Sequence, residues 1–211
     1  MKHIAILLCL CLPSSVLGQA TVKKKIKNEY PAYEEVFYVL KENPEIKHGP
    51  YQKTMRGFKA KGQYHENKRT GTWEFIGRNG QVAQRIEFPE GIIANIERER
   101  QTRDMRILSE LPDEKPVLIG GIDFLMSHLV NSLRYPANAR RRGVQGTVWI
   151  SATITANGRM IDEKVEEGPG HGLNEEALRV IQMLPDDWLP GRTNGQPVDV
   201  RIAIPIKFKL A

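Results

Sequence analysis

From Val198 to Leu210 the hydrophobic and polar positions alternate without a break. Val198, Val200, Ile202, Ile204, Ile206, Phe208 and Leu210 share one face, while Asp199, Arg201, Lys207 and Lys209 share the other. Side chains change face at each residue of a strand, so the run predicts a long half-buried β-strand. Pro205 lies inside it. Proline has no N–H to give to a ladder, which predicts an edge strand or a bulge. An edge strand offers amides and carbonyls that a second extended chain can use. The pattern therefore predicts a binder that works through a sheet edge.

Upstream, Ile122, Leu125, Leu129 and Leu133 recur at helical spacing after Gly120-Gly121. This helix ends before Tyr135-Pro136, because the residue preceding proline is driven out of the α region. A helical turn over 137–142 ends at Gly143. A strand follows, with Val148, Ile150, Ala152 and Ile154 on one face and Thr147, Trp149, Ser151, Thr153 and Thr155 on the other. Asn157-Gly158 signals a hairpin that returns through Ile161 and Val165. Asn174 is placed to cap a helix running to about Leu184, with Ala177, Leu178, Ile181 and Leu184 inward. Helix, hairpin, helix and strand make a small α+β domain, an antiparallel sheet with two helices covering one face.

The amino-terminal half has a different texture. Thr21 to Glu35 is lysine-rich and predicts a loose polar lead-in over 19–35. From Val36 to Phe88 short runs are punctuated by glycine. Gly49-Pro50-Tyr51 and Gly71-Thr72-Trp73 stand 22 residues apart, with Gly62-Gln63-Tyr64 between them. Asn67 to Gly71 and Arg78-Asn79-Gly80 carry turn residues, with strands expected over 74–76 and 81–88. The phrase GQYHENKRTGTWEFIGRNGQ resembles MORN-type and related antitoxin-like β-hairpin repeats, in which each hairpin stacks its aromatic residues on the next. A MORN-like domain over 36–95 is the expectation, with an ordinary β-meander as the alternative. On either reading Tyr51, Tyr64, Trp73 and Phe75 are packing residues. Glu97 to Leu111, rich in charge and helix formers, predicts a helical linker over 96–115, closed by Pro112 and Pro116.

The order of elements over 116–211 brings a second family into view. Pro116, Gly120-Gly121, Tyr135-Pro136 with Ala139, Gly143-x-x-Gly146-x-Val148, Asn157-Gly158 and Glu176-Ala177 occur in sequence. They are followed by Trp188-x-Pro190-Gly191, Asn194-Gly195-x-Pro197-Val198 and Ile204-Pro205-Ile206-x-Phe208-x-Leu210. This stretch resembles the carboxy-terminal domain of TonB energy transducers. The resemblance implies a periplasmic domain that grips the TonB box, a short extended segment of a TonB-dependent outer-membrane transporter, by adding it to the sheet as a strand. Carried onto this chain, the docking residues are Val200, Arg201, Ile202, Ala203, Ile204, Pro205, Ile206, Lys207 and Phe208, with Tyr135 and Pro136 shaping the nearby approach. Arg201, Ala203 and Lys207 are expected to tune the choice of partner. Pairing of the edge with a second copy, giving a homodimer, is the alternative. Full transducers carry a retained membrane helix and a proline-rich spacer, where this chain has a cleavable-looking leader and repeat-like β-structure. Some relatives also carry Gln three residues before the Tyr-Pro pair, where Ser132 stands here.

Composition narrows the choice. Lys2, the apolar run from Ile4 to Leu10 and Val16-Leu17-Gly18 read as a signal peptide over 1–18, with a cut after Gly18 or Ala20. Pro13 interrupts a run already short for a membrane span, although a retained anchor is the other reading. Cys9 and Cys11 are the two cysteines of the 211 residues and both lie in this leader. The exported chain would then hold no disulfide and no thiolate metal site. No later run is apolar for long enough to cross a bilayer, so the expectation is a periplasmic, envelope-associated protein. Removing Lys2 takes the formal charge from +6 to +5. Apart from Lys23-Lys24-Lys25 with Lys27, and Arg140-Arg141-Arg142, the basic residues are dispersed, which favours a solvated basic surface over nucleic-acid binding. His48, His65, His128 and His171 lack metal-ligand spacing. Glu166-Glu167 and Asp186-Asp187 are adjacent, which does not suit an acid–base pair. No phosphate loop, dinucleotide fingerprint or nucleophile elbow occurs. The expectation is no enzyme activity, no cofactor and no metal.

Overall fold

The computed structural model describes residues 19–88, 95–96, 105–185 and 187–210. The expected leader and residues 97–104 of the expected linker lie outside these.

Seven antiparallel strands follow one another in chain order: β1 (Thr21–Glu29), β2 (Ala32–Leu40), β3 (Lys47–Met55), β4 (Phe58–His65), β5 (Lys68–Ile76), β6 (Val82–Phe88) and β7 (Asn95–Ile96). The connections are short. Glu66 and Asn67 join β4 to β5 with both φ values positive, 48° and 65°, the geometry that lets a two-residue hairpin match the twist of its strands. Expected turn residues Lys68 to Gly71 lie inside β5 instead, because the turn closes two residues earlier. The side facing the rest of the molecule carries Phe58, Ala60, Trp73, Phe75, Gln84, Ile86 and Phe88, all buried. Trp73 lies across the bare backbone of Gly62, where an added Cβ would fall 2.3 Å from the indole, and its Nε1 donates to Gln63 O at 3.1 Å.

The lead-in expected to be loose is β1 and the start of β2. Thr21 to Glu29 pair residue for residue with Leu40 to Ala32. Their side chains are almost all exposed, so composition reads as unstructured chain while backbone pairing with β2 supplies the order.

The second half contributes β8 (Arg106–Ile107), β9 (Val117–Leu118), α1 (Gly121–Ser132), α2 (Ala137–Arg141), β10 (Gly146–Ile154), β11 (Met160–Glu167), α3 (Leu173–Ile181), β12 (Trp188–Leu189), β13 (Gly191–Thr193), β14 (Gln196–Val198) and β15 (Val200–Phe208). A four-stranded antiparallel sheet has the order β11-β10-β15-β8; β12 pairs with β9, and β13 with β14 across Asn194-Gly195. Gly158 closes the β10–β11 hairpin at φ 75°, where an added Cβ would meet Trp188 O at 2.2 Å. Val148, Ile150, Ile154, Val200, Ile202, Ile204, Ile206 and Phe208 are all 2% exposed or less, so one face of the sheet is sealed. This is the expected α+β arrangement.

Two expectations fail here. Where the end of a linker helix was expected, Arg106–Ile107 is a strand on β15, because its backbone partners lie far along the chain and local helix propensity is overridden. Asn174 sits within α3 and accepts from Gly170 N at 3.0 Å, while Gly172 takes the cap position.

The two sheets share α1. Phe124 meets the Phe58 ring at 5.1 Å, Ser127 Oγ donates to Arg56 O at 2.6 Å, and Gln84 Oε1 accepts from Gly120 N at 2.7 Å. On its other side His128 Nε2 donates to Val180 O of α3 at 2.9 Å. Arg69 forks onto Asp187 with two bonds of 2.6 Å. A single apolar cluster consequently runs from Met55 to Phe208.

Candidate functional site

The backbone of β15 alternates in direction. Arg201 O accepts from Leu108 N at 2.7 Å, and Arg201 N donates to Ser109 Oγ at 3.3 Å. The backbone groups of Arg201, and by alternation those of Ala203, Pro205 and Lys207, therefore point away from β10. Those of Val200, Ile202, Ile204, Ile206 and Phe208 point toward β10, with which β15 pairs along its whole length. Pro205 faces Trp149 at a pair that exchanges no hydrogen bonds, so its missing N–H costs the ladder with β10 nothing.

This geometry corrects the expectation of an open border along the whole terminal strand. On the side away from β10, β8 covers Ile202 and Ala203 and Leu108 covers Arg201. Among the described residues no strand pairs with β15 beyond Ala203 on that side. Among the described residues, Pro205 C=O and both backbone groups of Lys207 meet no strand on that side. Val200, Ile202, Ile204, Ile206 and Phe208 are committed to β10 by backbone and to the core by side chain, so they hold the edge in place without offering it a bond.

The residues around the edge are ordered. Tyr135 Oη donates to Val144 O at 2.5 Å and its ring meets Phe208 edge-on at 5.8 Å, which props the carboxy-terminal end of β15. Pro136 packs toward Gly172 at the start of α3, on the helix side of the sheet. On the opposite face Ser151 and Arg201 both donate to Glu166. The hydrogen bond from Ser151, aided by the nearby Lys164 and Arg201 charges and opposed by desolvation, holds the Glu166 carboxyl below its ordinary range. The Arg106 guanidinium lies 3.6 Å from the centre of the Trp149 ring, and Ala203, opposite Arg106, is 3% exposed.

Residues 131–210 match the family described as Gram-negative bacterial TonB protein C-terminal. They form a TonB C-terminal domain. Protein TonB of Vibrio cholerae serotype O1 (strain ATCC 39315 / El Tor Inaba N16961) is 38% identical over 78 residues, which cover 36% of this chain and 31% of that protein. The chain thus spans about a third of its curated relative. No solved structure matches.

Within the TonB C-terminal domain, Tyr135 joins the far end of β15, whereas Pro136 does not reach the open stretch. Arg201 and Ala203 are already engaged; of the side chains expected to tune partner choice, Lys207 is the exposed one. Sequence reasoning missed Arg106, Leu108 and Ser109, and took Trp149 only as a residue on the polar face. A two-residue strand has no periodicity to detect, and the local signal around Arg106 favoured a helix. Among the described residues no cluster of His, Cys, Asp and Glu could hold a metal, and no helix is long and apolar enough to cross a membrane.

Proposed function

We propose that this chain is a periplasmic, TonB-like binding protein that engages the TonB box of an outer-membrane transporter by strand addition and so supports transport across the outer membrane. The observation that carries the reading is the stretch of β15 at Pro205 and Lys207, which no strand pairs on that side among the described residues, within the segment that matches the TonB C-terminal family. Main-chain bonds to that stretch supply affinity, and Lys207 reads the guest's side chains. The seven-stranded meander is the rigid platform on which α1 and hence the domain are seated. Its rings form a cluster, Tyr51 and Tyr64 edge-on at 5.3 Å and each 5.1 Å from Trp73.

The test is titration of the full chain with a synthetic TonB-box peptide while amide exchange is followed. Saturable binding with slowed exchange at Lys207 is expected. No binding at millimolar peptide sinks the reading. The same stretch could instead pair with a second copy. Light scattering showing a stable dimer with Lys207 protected in the absence of peptide would transfer the edge to assembly.

A further inference from the structure

The docking edge is partly occupied by the chain itself. We infer that residues 105–109 are a tethered competitor for this edge, anchored by Arg106 on Trp149, which a guest strand displaces to gain the rungs at Arg201 and Ala203; the inference rests on the docking reading above.

Three features support it. First, among the described residues β8 covers two residues of a nine-residue strand. Its ladder frays at once: Leu108 still uses a backbone bond to Arg201 O, but the return bond from Arg201 N goes to the Ser109 hydroxyl. Second, the segment has no fully buried residue: Leu108 is 42% exposed, and Met105 and Ile107 are only partly buried against the core. Few buried contacts mark a region that opens at low cost. Third, Arg106 is held by the Trp149 face, an attraction of the kind that strengthens when partly shielded from water. Glu166, on the same strand as the Trp149 partner Glu167, is engaged by Arg201, Lys164 and Ser151.

The consequence for binding is arithmetical. Among the described residues, leaving the segment in place limits a guest to Pro205 and Lys207, and Pro205 can only accept. Displacing it adds both backbone groups of Arg201 and of Ala203. A tethered strand competes at an effective concentration in the millimolar range without any second protein. The apparent affinity of the guest is then reduced by the fraction of time that the edge is free. Trp149 and Arg106 set that fraction and so tune affinity from outside the contact with the guest.

The experiment uses the full chain and three variants, Arg106→Ala, Trp149→Ala and the double variant R106A/L108P, with a synthetic TonB-box peptide as probe. The Ala203 amide is expected to exchange slowly in the parent and fast in the double variant, with Lys207 unprotected in both. The peptide is expected to bind the double variant about tenfold more tightly, which corresponds to an edge free about a tenth of the time in the parent. Each single variant should move partway. Unchanged or weaker binding once Ala203 exchanges freely overturns the competitor role. Fast Ala203 exchange in the parent, or slow exchange in the double variant, overturns the pairing itself. Weaker binding to Trp149→Ala makes that ring a guest contact and removes it as the anchor. Absent binding to parent and variants, with Ala203 freed as expected, defeats the docking reading and the competition with it.

Discussion

The large sheet pairs only strands that are neighbours in sequence; the small sheet joins strands far apart. β1 to β7 form a meander whose turns are short, and each pairing is closed by a local hairpin. β15 pairs with β10 about fifty residues upstream and with β8 about a hundred upstream. Local pairings cost little loop entropy, whereas distant ones must be repaid by burial. The small sheet repays it with a row of aliphatic residues almost free of solvent. The large sheet can leave β1 nearly bare. The contrast frames the proposed docking: the sheet made by long-range pairing has a strand, β15, that β8 covers only in part among the described residues, while the meander is built from local pairings.

Breaking the base has the largest expected effect. Trp73→Ala removes the ring that bridges β4 and β5 and leaves a void against Gly62; a loss of about 3–5 kcal/mol in denaturant unfolding is expected. Because α1 belongs to both sheets, they should unfold in a single transition. Two separated transitions would mean that the halves are energetically independent. Next comes the link from β5 to the segment before β12. Asp187→Ala strands the Arg69 guanidinium, which is about a quarter exposed, and should cost about 1–2 kcal/mol, between the values for open and fully buried pairs. The matching double variant, R69M/D187A, should recover part of that loss.

A smaller effect tests the α1–α3 seam through pH. Burial lowers the His128 pKa below its ordinary 6.5, against the opposing bond to Val180 O, with the Lys53 and Arg179 charges adding to the depression. The unfolded chain therefore takes up this proton more readily than the folded one. The stability contributed by neutral His128 is fully present above about pH 6.5 and is lost as pH falls toward the lowered value. Melting temperature should decline between pH 7 and 5, and His128→Gln should flatten that decline; an unchanged slope would remove His128 as its source. The smallest effect belongs to the outer face of the meander, where Lys61→Ala should change stability by no more than about 0.5 kcal/mol, since Lys61 is half exposed in its pair with Glu74.

What was legible in the sequence follows the same division. Alternation revealed β10 and β15, helical spacing revealed α1, and Asn157-Gly158 and Asn194-Gly195 marked their turns, because each is a property of neighbouring residues. β1 escaped because its lysines look like solvated coil when the pairing with β2 is not considered. β8 escaped because two residues carry no period. Pro205 pointed toward the right side of the strand, since it sits where no N–H is needed by β10. It could not reveal that Arg106 and Leu108 cover the neighbouring rungs at Ala203 and Arg201. The residues proposed for docking are thus legible as a strand, while their division into inward and outward members required the register.

Pro205 also bears on how long any visitor stays. A strand laid beside it meets an acceptor with no donor next to it, and one rung is missing at the middle of the contact. A forgone hydrogen bond is worth about 1 kcal/mol, enough to shorten the residence of a guest about fivefold. The same gap interrupts runaway stacking of identical chains. For the docking proposed above, such an incomplete grip favours release as well as capture.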